Sequence, residues 1–138
     1  MVDVVNRYAN QDLWLADDHH SRLGDYVSRS DKDGRPFGRQ VDAWWVAMGI
    51  GVRMGQRSAL PAKRTKFNNA GILSSDPWRI THLELLALSE EGPDVLDSPN
   101  RVIEIASEYA NAGMPWLLQQ MLGEAEPTLT LMNHLSEP

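Results

Sequence analysis

Asp17-Asp18-His19-His20 is the one stretch of this chain whose side chains read as metal ligands. Carboxylates and imidazoles are the usual oxygen and nitrogen donors for divalent ions. Their spacing works against a shared ion. Adjacent helical residues point about 100° apart, whereas two ligands on one helix face need a separation of three or four positions. The expected role is therefore a polar helix face. A metal-dependent enzyme built on these four residues, with His82 or Glu84 arriving from elsewhere, ranks third among the functional readings. Nucleophilic catalysis finds no Gly-x-Ser-x-Gly elbow, and there is no phosphate-binding Walker loop. Gly49, Gly51 and Gly55 in GIGVRMG loosely resemble a dinucleotide-binding turn, but they lie inside a helical pattern and follow no strand. His82 falls within an apolar helix, where a buried or half-buried structural histidine is expected. With no cysteine in the chain, thiol catalysis, Cys-ligated zinc, iron–sulfur clusters and disulfides are all excluded. No catalytic residue and no cofactor is expected.

The remaining chemistry is electrostatic. Arg53, Arg57, Lys63, Arg64 and Lys66 fall within fourteen residues with no acid among them, and Phe67, Asn68 and Asn69 follow directly. Lys and Arg hold phosphates by charge, and Asn amides reach base edges or sugars. An irregular loop carrying these seven polar residues is expected to grip a nucleic acid or an acidic protein. The whole chain is acidic, at a net charge of −6 and pI about 5.1, which argues against an autonomous nucleic-acid binder. The charge is also divided. Residues 22–79 hold eleven of the thirteen Lys/Arg against five acids, and residues 80–138 hold ten acids against Arg101 alone. Opposed faces for different partners would produce that pattern. So would two halves that neutralise each other.

These side chains need elements to position them. Apolar residues from Leu13 to Val27 predict a helix near 11–28, and Asp33-Gly34 and Pro36 mark a turn within 30–38. Residues 39–55 are apolar on nearly every side, which predicts a central helix in a core or an oligomer interface. Residues 56–73 read as irregular, with one short strand at Ile72-Leu73. Asp76 and Pro77 predict a helix start that runs to Gly92 and buries Trp78, Leu83, Leu85, Leu86 and Leu88. Ser98 and Pro99 open another, with Glu104, Ser107 and Glu108 outward. A kink or break is expected at Pro115 before the apolar face resumes to Gly123.

The 138 residues suit one domain. The expected fold is mainly α: a single compact helical domain of about four to five helices over residues 1–123, with at most a short strand or hairpin. Residues 1–10 are expected to be loose and 124–138 to form a tail that frays or pairs as an edge strand. No apolar run approaches the roughly 20 residues that span a bilayer, and the start of the chain lacks a signal-peptide pattern, so the expected setting is the cytoplasm with no membrane partner.

Three blocks, VDAWWVAMGIGVRMGQRSAL, ITHLELLALSE and VIEIASEYANAGMPWLLQQML, resemble the small bacterial family of DNA phosphorothioation (Dnd)-associated protein 4. The shared pattern is an apolar helix, a basic turn, a Leu-rich helix ending near acids, and a last helix with a Tyr-Ala-Asn-x-Gly run, here Tyr109 to Gly113. It covers roughly residues 37–123. The resemblance implies a setting and no reaction: an accessory component of a bacterial DNA-modification or anti-phage defence complex. Larger subunits would be its partners, and DNA would be contacted through them. It supplies no catalytic residues, and it leaves a homo-oligomer open. The runner-up is a small DNA-binding protein using residues 53–69.

Overall fold

The structure is a computed structural model that describes residues 6–27 and 35–121. The fold is mainly helical with a small two-stranded sheet, in the order β1 (Asp12–Ala16), α1 (Asp17–Leu23), α2 (Gln40–Met54), β2 (Arg64–Asn69), α3 (Pro77–Glu91) and α4 (Pro99–Met121). Short 3-10 turns lie at Gly24–Tyr26, Ala70–Ser75 and Pro93–Asp97.

The centre is the antiparallel crossing of α2 and α4. Trp44, Ala47, Ile105, Ala106, Met114, Leu117 and Leu118 are buried there. Two glycines set the closeness of approach. A Cβ on Gly113 would stand 1.9 Å from the carbonyl oxygen of Ala47, and one on Gly51 would stand 2.1 Å from that of Tyr109. Pro115 sits inside α4 on an exposed position, and the helix runs unbroken from Pro99 to Met121. The break expected there does not occur. Packing on both sides of Pro115, through Met114, Leu117 and Leu118, outweighs the roughly 3 kcal/mol that an interior proline costs a helix.

α2 ends where Gly55 takes a φ of 66°, with its N–H returned to the carbonyls of Gly51 and Val52. α3 runs alongside α2 in the same direction and stops at Gly92, whose φ is 83°. Pro77 opens α3 as expected. Asp76 stands at the cap position but makes no capping bond, because its carboxylate is taken by Arg39 at 2.9 Å.

The N-terminal third departs most from the sequence reading. Leu13 and Leu15 alternate inward from a strand, and the helix expected over 11–28 begins only at Asp17. The expected irregular segment holds β2, which pairs with β1 in the register Trp14↔Lys66, Leu15↔Thr65 and Ala16↔Arg64. A register shift at Leu13/Trp14 leaves Phe67 without a partner on β1, and its ring reaches Trp44 at 6.5 Å. Ile72 and Leu73, read as a strand, lie in a 3-10 turn. The described part of the supposedly loose start is anchored: Tyr8 is fully buried and donates its hydroxyl to Glu84 at 2.9 Å. Burial and that carboxylate push the Tyr8 hydroxyl up to about 12. The tail expected over 124–138 lies outside the described residues.

Candidate functional site

The basic residues do not gather into one free patch. Arg57 turns inward. Its guanidinium donates to Glu108 at 2.9 Å and to Glu90 at 3.3 Å, and it lies 5.6 Å from the centre of the Tyr109 ring. It ties the end of α2 to α3 and α4, so the acidic half of the chain neutralises part of the basic half within one molecule. Lys66 pairs with Asp12 at 3.0 Å. Arg64 lies over Trp14, 5.1 Å from the ring centre. Arg53 is exposed at the end of α2 and also has a partner. Lys63 is exposed just before β2, and its carbonyl accepts from the N–H of Asp17. Asn69 accepts from the Gly71 N–H and starts the 3-10 turn, while the side chain of Asn68 caps its own neighbour's N–H. Both asparagines thus serve the backbone of the bend after β2.

α1 spreads the metal-like quartet. Asp17 accepts from the Thr65 hydroxyl at 2.6 Å, and Asp18 faces Arg22 at 3.5 Å. His19 is half-buried with Nδ1 unpartnered, and burial holds its pKa below the ordinary value. Among the described residues no three His, Asp or Glu side chains come together as a metal site.

Two surfaces that sequence reasoning missed stand out. The first lies between α2 and α3. Trp78 is 52% and Leu85 57% exposed, where burial was expected. The α3 helix buries Leu83, as expected, and with it Ala87, because only one narrow stripe of it reaches the core. His82, expected inside, is exposed and meets Trp78 edge-on at 5.6 Å and Trp45 at 6.3 Å. Trp45 and Trp78 pack edge to face at 5.5 Å. The Arg79 guanidinium is held over both indoles, 5.2 and 5.3 Å from their centres, and 3.1 Å from Asp42. Beside this cluster runs an apolar groove of about 290 Å³ lined by Trp45, Met48, Gly49, Val52, His82 and Leu86. A Cβ on Gly49 would meet nothing within 4 Å.

The second is a polar cleft of about 410 Å³ between the outer face of the sheet and the first half of α4. Asp12, Trp14 and Arg64 line one wall, and Asn100, Ile103, Glu104 and Ser107 line the other at helical spacing. Ser107, expected to be exposed, is 4% exposed and is the buried polar residue of the described chain. No apolar/polar alternation marks either strand, since Leu13-Trp14-Leu15 is apolar throughout and Arg64-Thr65-Lys66 is polar throughout, so the cleft left no periodic signal in the sequence.

No family model, no curated protein and no solved structure matches this chain.

Proposed function

We propose that the chain is a non-catalytic interaction subunit of a bacterial DNA-modification or anti-phage defence complex. It docks one helix of a larger subunit into the α2–α3 groove, and DNA is reached through that subunit. The resemblance noted in the sequence supports the setting. The docking mode rests on one observation, the unexplained glycine at the floor of an exposed aromatic groove.

A glycine inside a helix costs about 1 kcal/mol relative to alanine. Gly51 and Gly113 offset that cost by letting α2 and α4 touch. Gly49 makes no such contact within the chain, yet it forms the floor of the groove beside Trp45, Val52 and His82. Small residues at such a floor let another helix approach closely. Exposed Val52 in the lining, and exposed Trp78 packed against Trp45 and His82, supply the apolar anchors that carry most interface energy. The occupant is an amphipathic helix with a stripe of large aliphatic residues, since the groove is walled by rings and aliphatic chains.

The test is capture of the tagged chain from its own cells beside the Gly49→Leu variant. Leucine fills the groove without touching the core. The parent chain should recover larger proteins in fixed ratio, and the variant should lose them while keeping the same circular dichroism. Recovery of the parent chain alone refutes the proposal. So does a partner retained equally by the variant.

A further inference from the structure

We infer that the cleft between the β1–β2 sheet and α4 binds a ring carrying a vicinal diol, the chemistry shared by saccharides and ribonucleosides. This site lies apart from the α2–α3 groove and does not depend on it.

Charge and polarity together favour an uncharged polar ligand. The lining holds two carboxylates, Asp12 and Glu104, against the one guanidinium of Arg64. Lys66 and Arg101 are paired with those carboxylates, so the cleft has no strong net charge of either sign to draw an ion. An apolar ligand would strand the carboxylates, the Asn100 amide and the Ser107 hydroxyl without partners. The carboxylates are also fixed as acceptors. Lys66 stands 3.0 Å from Asp12 and holds its carboxyl below the usual carboxylate range, and Glu104 is ion-paired with Arg101. Lys66 and Arg101 are not among the residues that line the cleft.

An ionised carboxylate accepts hydrogen bonds only, and it takes two donors side by side. Two hydroxyls on neighbouring carbons present such a pair. The remaining lining fits the rest of a sugar ring. The Trp14 indole offers an aromatic surface for an apolar ring face. The Arg64 guanidinium, 5.1 Å from the centre of that indole, brings N–H donors for ring or ether oxygens. The Asn100 amide both donates and accepts. Ser107 brings a hydroxyl into a position that is otherwise buried, on a helix face where Ile103 supplies an aliphatic contact.

The experiment titrates the isotope-labelled chain with methyl β-glucopyranoside and, separately, with adenosine, following backbone amide shifts. 2′,3′-Dideoxyadenosine, which lacks the diol, is the control. Saturable shifts at Trp14, Arg64 and Ser107 are expected with at least one of the two diols. Binding by the glucoside marks the source as a saccharide; binding by adenosine but not its dideoxy form marks a ribonucleoside. Glu104→Gln keeps the shape of an exposed side chain and should weaken binding at least about tenfold, the loss expected for a hydrogen bond to a charged group. Its unchanged amide spectrum serves as the folding check. No saturable shift with either diol overturns the inference. So does equal binding by dideoxyadenosine, or full affinity in the Glu104→Gln chain.

Discussion

Alanine at two glycines of the same helix should change stability in opposite directions. Gly49 and Gly51 lie two residues apart in α2, so replacing either by alanine yields the same intrinsic gain of about 1 kcal/mol. Their surroundings differ. At position 49 the new methyl meets nothing within 4 Å, and the gain survives as about 0.5–1 kcal/mol of added stability. At position 51 it would stand 2.1 Å from the Tyr109 carbonyl oxygen and 2.9 Å from the carbonyl carbon. Both are backbone atoms of a packed helix and cannot rotate aside. Restoring van der Waals distance requires α2 and α4 to separate by about 1 Å, which breaks close packing along the crossing. Overpacking by one methylene typically costs about 1–3 kcal/mol, and unyielding backbone atoms put this site at the upper end, so a net loss of about 2 kcal/mol is expected after the helix gain. Gly113→Ala should behave like Gly51→Ala, since its methyl would stand 1.9 Å from the Ala47 oxygen. For a chain of this size each kcal/mol moves the midpoint by about 4 °C, so the melting points of the 49 and 51 variants should differ by about 10–12 °C. Circular dichroism melts and urea titrations at matched concentration read this directly. A Gly51→Ala chain as stable as its parent, or a Gly49→Ala chain destabilised to the same degree, would refute the helix-crossing argument.

Three other outcomes follow from the side-chain network. Arg57→Met should destabilise the fold by about 1–3 kcal/mol, because Glu108 and Glu90 lose their shared partner; urea unfolding measures it. If Arg57 instead served only an external partner, stability would not change. His19 has its pKa lowered chiefly by burial, so the unfolded chain takes up a proton more readily than the folded one as pH falls through the ordinary value of 6.5. Stability should therefore decline as pH drops below that value, and His19→Gln should flatten the decline; an unchanged slope in the variant would count against it. Asp76, Asp12 and Glu91 are held below their ordinary values first by hydrogen bonds from Arg39, Lys66 and Arg101 respectively. Their contribution is present above the ordinary carboxylate range and lost as pH falls through it, so acid unfolding followed by Trp fluorescence should shift to lower pH sensitivity in Asp76→Asn.

The helices were legible where local signals agree. α2 could be placed from its unbroken apolar run, and α3 from Pro77 at its start and Gly92 at its end. In α4 the apolar period survives a proline, because a stripe of buried residues holds the helix against it. These features depend on residues a few positions apart, which is the range over which backbone sterics and helical periodicity act. The sheet was not legible in that way. Leu13 and Leu15 satisfy a strand and a helix start equally well, and only pairing with Arg64–Asn69 selects the strand. The partner lies about fifty residues away, so the hydrogen bonds that decide it leave no local mark.

The fate of the charges was a tertiary outcome for the same reason. Composition showed a basic half and an acidic half, but nothing in either half said that Arg57 would close on Glu108 while Arg64 faced a cleft. Trp78 and Leu85 likewise read as core because apolar residues are expected inside. The sequence by itself determined a mainly helical, cysteine-free domain with a greasy centre. Which apolar rings stay in water was decided only when α3 packed on α4 and the neighbouring 3-10 turns through a stripe too narrow to cover them all.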